Sequence, residues 1–301
     1  MKRSQPTYIK TFETGILRER KKTATEQLTN CHLCPRNCGV DRTSGETGIC
    51  KTGQKAVVAS YAPHFGEEAP LVGKNGSGTI FFTHCNLLCN FCQNYDISHK
   101  GQGMEVSKSH LARIMLELQQ MGCHNINFVT PSHVIPQILA ALEIAIEKGL
   151  NIPLVYNTSA YDRVESLKLL DEIIDIYMPD FKFWDSKVAE ETCDAPDYPE
   201  KAKVAIREMY RQVGDLLIEN GIATRGLLVR HLVMPNGLAG TNEIMKFLSN
   251  EISENTYVNI MPQYRPCGAV FNHKDLSRPI SEREFKYANK IAKQSGIWRF
   301  D

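Results

Sequence analysis

The sequence predicts an α/β fold, a parallel sheet with helices outside it that curls into a barrel or part of one. Two observations carry this reading. From residue 78 onward, six apolar strand-like runs alternate with stretches of helical period. Most polar residues of chemical interest lie just after one of those runs, where such folds keep their reactive groups.

In order, the strands are expected at Thr79–Thr83, Asn125–Val129, Pro153–Tyr156, Ile174–Met178, Gly226–Val233 and Tyr257–Met261. The first helix between them is capped near Ser107 and turns Leu111, Ile114, Met115 and Leu118 to one face. The next runs from Val134 to Lys148 and stops at Gly149. Further helices are expected at Asp162–Asp171, Pro199–Glu219 and Thr241–Ser249. The last opens on a capping box, Ser281 to Glu284, and ends near Gly296.

The first 75 residues read differently. Residues 5–28 form a charged helix, Cys31 to Cys50 a cysteine-rich loop, and a Pro/Gly-bearing connector ends in Gly73-Lys74-Asn75-Gly76-Ser77-Gly78. The expected division is therefore an N-terminal metal-binding region over 1–75 and a core domain over 76–301.

Lys and Arg number 35 against 34 Asp and Glu, a formal charge of +1, which gives no reason to expect a nucleic-acid partner. The N-terminus has no apolar signal region, and no apolar run reaches the roughly 18 residues of a membrane span. The expectation is a cytoplasmic chain with no membrane partner, whose thiols stay reduced. Ten cysteines then need another reason, and seven of them fall in two tight groups, which points to metal.

The first group follows the first strand. In Thr83-His84-Cys85-Asn86-Leu87-Leu88-Cys89-Asn90-Phe91-Cys92, three cysteines stand at C-x3-C-x2-C. One loop can wrap three sulfurs around three irons of a cubane cluster, leaving the fourth iron open to a small molecule. Zinc would want a fourth ligand, with His84 the obvious one.

This run, with Phe91 at the aromatic position, resembles the radical SAM superfamily. The resemblance implies a partial (β/α)6 TIM-like barrel of the radical SAM type and a [4Fe–4S] cluster on Cys85, Cys89 and Cys92. The open iron of that cluster binds S-adenosylmethionine. It also implies reductive cleavage to methionine and a 5′-deoxyadenosyl radical, with reduced flavodoxin or ferredoxin as electron donor. The likeness covers about residues 76–265 and is nearest to pyruvate formate-lyase activating enzymes.

That group has a Gly-Gly-Glu-Pro turn after the second strand. Here the turn is Val129-Thr130-Pro131-Ser132-His133, without glycines or carboxylate. Thr130 and Ser132 offer hydroxyl acceptors to an ammonium group, or Ser132 caps the helix from Val134. Asn157, Thr158 and Ser159 resemble the segment that lies near the adenosyl group. Asp180 and Lys182 match the family's Asp-x-Lys, both side chains facing one way on an extended segment. Arg230, in an apolar strand, needs a carboxylate, either that of the methionine moiety or that of a buried salt bridge. His231 faces the other side and reads as structural. Gln263 and Tyr264 are substrate-side candidates.

The second group, Cys31-x2-Cys34-x3-Cys38-x11-Cys50, is a full quartet in a turn-rich stretch. It reads as a closed second metal centre, either structural zinc or an iron–sulfur cluster, and spacing does not separate them. Cys123, Cys193 and Cys267 read as isolated core or surface thiols. The substrate stays open: a glycine of a partner enzyme, another protein or peptide side chain, or a small molecule. The competing class is a non-catalytic iron–sulfur electron carrier or redox sensor. An open three-cysteine site argues against it, and binding of S-adenosylmethionine discriminates the two.

Overall fold

The computed structural model describes residues 5–271 and 274–301. Its strands are β1 (Ala56–His64), β2 (Ser77–Phe82), β3 (Met104–Val106), β4 (Ile126–Val129), β5 (Leu154–Thr158), β6 (Ile176–Pro179), β7 (Leu217–Glu219), β8 (Ile222–Leu232), β9 (Tyr257–Met261) and β10 (Arg299–Phe300). They form one sheet in the order β10-β9-β8-β6-β5-β4-β2-β1-β3, with β7 beside β8. From β2 to β10 along this path every pairing is parallel. β1 and β3 extend it antiparallel past β2. Among the described residues the sheet stays open, with β3 and β10 at its ends, so the fold is the expected partial barrel.

The central strands are apolar because helices cover the sheet. β5 and β6 are buried at every position, as parallel strands packed on both faces must be. The helix Lys108–Gln120 starts at Ser107, whose Oγ accepts from His110 N, and buries the expected Leu111, Ile114, Met115 and Leu118. It packs on Ile135–Glu147. The capping box of Ser281 and Glu284 opens the helix Glu282–Gln294 as expected.

Three expectations need correction. The N-terminal helix is two, Thr7–Glu13 and Ile16–Glu26, broken at Gly15 with φ +81°. The helix expected over Pro199–Glu219 is Tyr198–Val213, and its predicted tail is β7. Asn220 and Gly221, both at positive φ, turn the chain back into β8, the Asn-Gly hairpin signal. Ser132 does not cap the next helix. The cap position is Val134, with no side-chain bond, and Ser132 Oγ instead meets Thr158 Oγ1 at 3.1 Å. The segment before residue 76 packs with the rest of the chain. The connector contains β1, which joins β2, and Tyr8, Leu17 and Ala24 belong to the main hydrophobic core. The Tyr8 hydroxyl donates to Ile152 O at 2.9 Å.

His231 is structural, as its strand position suggested. It is buried, with Nδ1 donating to Phe181 O and Nε2 accepting from Thr241 Oγ1, each at 2.9 Å. Burial pushes its pKa down to about 4. The unfolded ring titrates at about 6.5. Between those values only the unfolded chain takes the proton, so this stabilisation is present above pH ~6.5 and lost as pH falls toward 4. Acidification should therefore cost up to roughly 3 kcal/mol at this residue, at about 1.36 kcal/mol per unit. Urea titrations across that range should show the slope in wild type and a flatter one in His231→Gln. An identical slope in both would exclude this assignment.

Candidate functional site

A cavity of about 370 Å³ lies at the C-terminal ends of β2, β4, β5, β6, β8 and β9. Parallel sheets collect their ligands at this edge. The loop after β2 brings Cys85, Cys89 and Cys92 to its wall. His84 and Leu88 adopt positive φ, which curls that loop tightly. Its frame is held by bonds that do not involve the sulfurs: His84 N to Ile97 O at 3.0 Å, Asn86 Nδ2 to Tyr161 O at 2.7 Å, and Asn90 N to Thr192 O at 2.8 Å. Leu87 N donates to Cys85 Sγ at 3.3 Å, and Ser98 Oγ to Cys92 Sγ at 3.2 Å. Phe91 is buried edge-on against Phe183, with ring centroids 5.7 Å apart, beside Tyr264.

Burial and the neighbouring Cys89 push the Cys85 thiol up to about 12. Contact with the Cys193 sulfhydryl and burial raise Cys89, and burial raises Cys92. Three thiolates in one loop, Cys89 buried and Cys85 and Cys92 half-buried, would be tolerable only around a cation. The donor set therefore fits a polycationic iron–sulfur core. His84 is not part of this wall. Its ring packs where a Cβ on Gly101 would stand, 2.6 Å away.

The predicted polar residues converge on the same cavity. Thr130, Asn157, Thr158, Ser159, Asp180, Lys182 and Arg230 all line it, and only Ser132 stands behind its wall. Thr130 sits at φ +60°, a conformation costly for a β-branched residue, with its N bonded to Asn157 O at 2.8 Å. Buried Asp162 orients this side by accepting from Tyr156 at 2.8 Å and Thr158 at 2.5 Å. The Ser159 hydroxyl is buried without a partner at the cavity wall, a group that a bound molecule could satisfy.

Arg230 finds its carboxylates within the chain. Nε donates to Asp180 Oδ1 at 2.7 Å and Nη2 to Asn157 Oδ1 at 2.8 Å. Nη1 lies 3.4 Å from Glu67 and 3.8 Å from Glu68. The Lys182 ammonium donates to the other Asp180 oxygen at 2.7 Å. Burial opposes the Asp180 charge, but Arg230 and Lys182 outweigh it and hold the carboxyl below its usual range. Burial leaves Glu67 raised despite Arg230. Sequence reasoning missed Glu67 and His64, which reach the cavity from the end of β1, and a strand signal at Ala56–His64 would have found them. Gln263 and Tyr264 also line it, though the Tyr264 hydroxyl is spent on Leu276 O. The second cysteine group lines a separate small cavity.

Fold and site together define an α/β protein with a three-cysteine loop at the strand-end rim of an open parallel sheet. The chain belongs to the radical SAM superfamily, whose description it matches over residues 79–248. It is 32 % identical over 276 residues to "Uncharacterized protein MJ0674" of Methanocaldococcus jannaschii, covering 89 % of this chain and 75 % of that one. Among solved structures it is similar to native anSMEcpe with bound AdoMet (12 % identity, TM-score 0.47, 72 % of this chain and 61 % of that one). It is also similar to HydG, a maturase of the [FeFe]-hydrogenase (14 %, TM-score 0.49, 73 % and 50 %). The chain spans less than two thirds of the length of those solved proteins. Membership implies a [4Fe–4S] cluster and S-adenosylmethionine. Among the described residues no helix is long and apolar enough to cross a membrane.

Proposed function

We propose that this chain cleaves S-adenosylmethionine reductively and uses the product to take a hydrogen atom from a substrate. Cys85, Cys89 and Cys92 would hold the cluster, which supplies the electron that splits the sulfonium into methionine and a 5′-deoxyadenosyl radical. The observation that carries this is the convergence of the triad with Thr130, Asn157–Ser159, Asp180, Lys182 and Arg230 on one cavity. Phe91, Leu232 and Met261 give that cavity apolar walls, which would keep water from a reactive carbon. The unsatisfied Ser159 hydroxyl and the Asn157 and Thr158 side chains would receive the adenosyl part. Thr130 and the Asp180–Lys182 pair would meet the amino-acid end.

On the resemblance to pyruvate formate-lyase activating enzymes, the substrate we propose is a protein or peptide, a glycine of a partner enzyme among the choices. The donor would be a reduced flavodoxin or ferredoxin. All ten cysteines are free, which suits the reducing cytoplasm. Cys31, Cys34, Cys38 and Cys50 would form a second metal centre.

The test is anaerobic loading with iron and sulfide, reduction, and assay of S-adenosylmethionine turnover. Equal yields of methionine and 5′-deoxyadenosine are expected. A loaded protein that neither binds nor cleaves S-adenosylmethionine would return the chain to the electron-carrier class.

A further inference from the structure

A chain of hydrogen bonds runs from one triad sulfur back to the triad loop. It starts at Cys92, whose sulfur lies 3.2 Å from the Ser98 hydroxyl. The same hydroxyl lies 2.8 Å from His99 Nδ1. Across the ring, His99 Nε2 meets Leu88 O at 3.3 Å. Leu88 stands between Cys85 and Cys89, so the chain leaves the loop at a sulfur and returns to it at a carbonyl.

Each member is fixed in place. Ser98 is buried and ends a single helical turn, Tyr95–Ser98. Ser98 N bonds Asn94 O and His99 N bonds Tyr95 O, both at 2.9 Å. The Tyr95 ring stacks on His99, with centroids 4.1 Å and planes 10° apart. Gly268 presses on Tyr95, where a Cβ would stand 2.7 Å from Cδ2. Leu88 holds φ +56°, a conformation that costs a leucine free energy.

Proton counting gives the chain a direction. A carbonyl only accepts, so Nε2 carries a ring hydrogen and donates it to Leu88 O. Burial, with the Lys51 charge, holds the His99 pKa below its usual value, so the ring is neutral near pH 7.5 and Nδ1 is an acceptor. Ser98 has one hydrogen for two acceptors, Nδ1 and the Cys92 sulfur. While Cys92 is a thiol, its own S–H can donate to Ser98 Oγ and the hydroxyl serves the ring. A metal-ligating sulfur has lost that hydrogen and can only accept. The hydroxyl then stands between two acceptors. An added electron makes the sulfur more negative and leaves the ring as it was, which favours the sulfur.

We infer that Ser98 and His99 are positioning residues for the triad cluster, the Ser98 hydroxyl turning from His99 to Cys92 as that cluster is reduced. The inference rests on the proposed triad cluster and deepens it. A low-potential one-electron donor protein loses one electron and the cluster gains it. The Ser98 hydrogen stays on its oxygen and only its acceptor changes, so no covalent bond is made or broken. Ser98 favours the reduced state, because a hydrogen bond to a ligand sulfur sets the potential. His99 opposes it, because the ring holds the hydroxyl in the oxidised state.

The test is an EPR-monitored redox titration of the full chain, loaded anaerobically, at about pH 7.5 without S-adenosylmethionine. The triad signal is the one lost when Cys85, Cys89 and Cys92 are all changed to Ala. Ser98→Ala should make its midpoint more negative. A hydrogen bond to a charged group is worth roughly tenfold or more in an equilibrium. For one electron, tenfold is about 59 mV. His99→Phe keeps the stack on Tyr95 and removes the competing acceptor, so it should shift the midpoint the opposite way. In the double variant the midpoint should equal that of Ser98→Ala, since the ring acts only through the hydroxyl. Ser98→Thr keeps the hydroxyl and should hold the wild-type midpoint. If Ser98→Ala does not load iron, the sign of the His99→Phe shift decides. Equal midpoints in all loaded variants, or a His99→Phe shift to more negative potential, would overturn the inference. A wild type that makes no 5′-deoxyadenosine while its variants show the opposed shifts would count against the proposed function alone. Product formation with unshifted variants would count against this inference alone.

Discussion

Serine at any one of Cys85, Cys89 or Cys92 is expected to reduce 5′-deoxyadenosine formation to the background of unloaded protein. The loss should exceed the roughly 10–100-fold that removing an outer-shell partner costs, because a ligand itself is gone. The thiolate is the soft donor that iron in a cluster requires, and a serine oxygen is neither soft nor readily deprotonated. The fold should survive. The loop is framed by His84 N, Asn86 and Asn90, none of which bonds through a sulfur. Few protein partners are lost with the sulfurs themselves: Leu87 N at Cys85 and the Ser98 hydroxyl at Cys92. Cys89 contacts the Cys193 sulfhydryl, and serine there keeps a hydroxyl to meet it. Circular dichroism and the thermal midpoint of the metal-free variants should therefore match wild type, while iron content and product yield drop together. A single-serine variant with full iron and undiminished product would remove that cysteine from the ligand set.

What was legible in the sequence follows from how local each signal is. The run Tyr257–Met261 was read to the residue, and Ser107 and the Ser281–Glu284 box were found because a cap is written within four residues. The triad was legible because its ligands share one loop. β1 was not, because its buried alternation gives way to exposed Ser60, Tyr61 and Ala62 and then to Pro63. Missing β1 hid Glu67 and Glu68, whose meaning lies in Arg230, more than 160 residues away. The same distance left the partner of Arg230 undecided between a ligand and the chain. Ser132 was a sound cap by type and position, but buried Thr158 competes for its hydroxyl. The quartet was visible from spacing alone. The contact between its loop and the triad loop was not, since nothing in Cys34-Pro35-Arg36-Asn37-Cys38 says that the guanidinium ends on Asn86 and Leu87.

Arg230→Leu is expected to destabilise the metal-free protein by about 3–5 kcal/mol, the cost of breaking a buried ion pair from one side. The side chain is largely buried, 17 % exposed, and sits against Asp180, Glu67 and Glu68 at once. Lys182 would remain for Asp180, at 2.7 Å, but the two glutamates would keep only the His64 ring, whose Nδ1 lies 3.6 Å from Glu67. Burial already raises Glu67 in the intact network, and without Arg230 its charged form would be costlier still. The deficit should therefore depend on pH. A carboxyl whose folded pKa lies above its unfolded value destabilises the fold above that pKa and ceases to as it takes a proton. The variant should recover part of its loss as acidification protonates Glu67, at a pH above the ordinary carboxylate range. Glu67→Gln in the Arg230→Leu background should recover a share at the higher pH, because it removes one stranded charge, and the double-mutant cycle would measure the coupling. Arg230→Lys should fall between, keeping the charge but not the fork that spans Asp180 and Asn157. These are guanidinium chloride measurements on protein without cluster or S-adenosylmethionine, so they report the network alone. If Arg230→Leu proves as stable as wild type near pH 7.5, the carboxylates are not relying on this guanidinium. Its charge would then be available to an amino-acid carboxylate in the cavity. If the loss appears as expected, Arg230 supports the cavity first, and any role toward S-adenosylmethionine falls to Nη1, whose two carboxylate contacts are the loosest of the set.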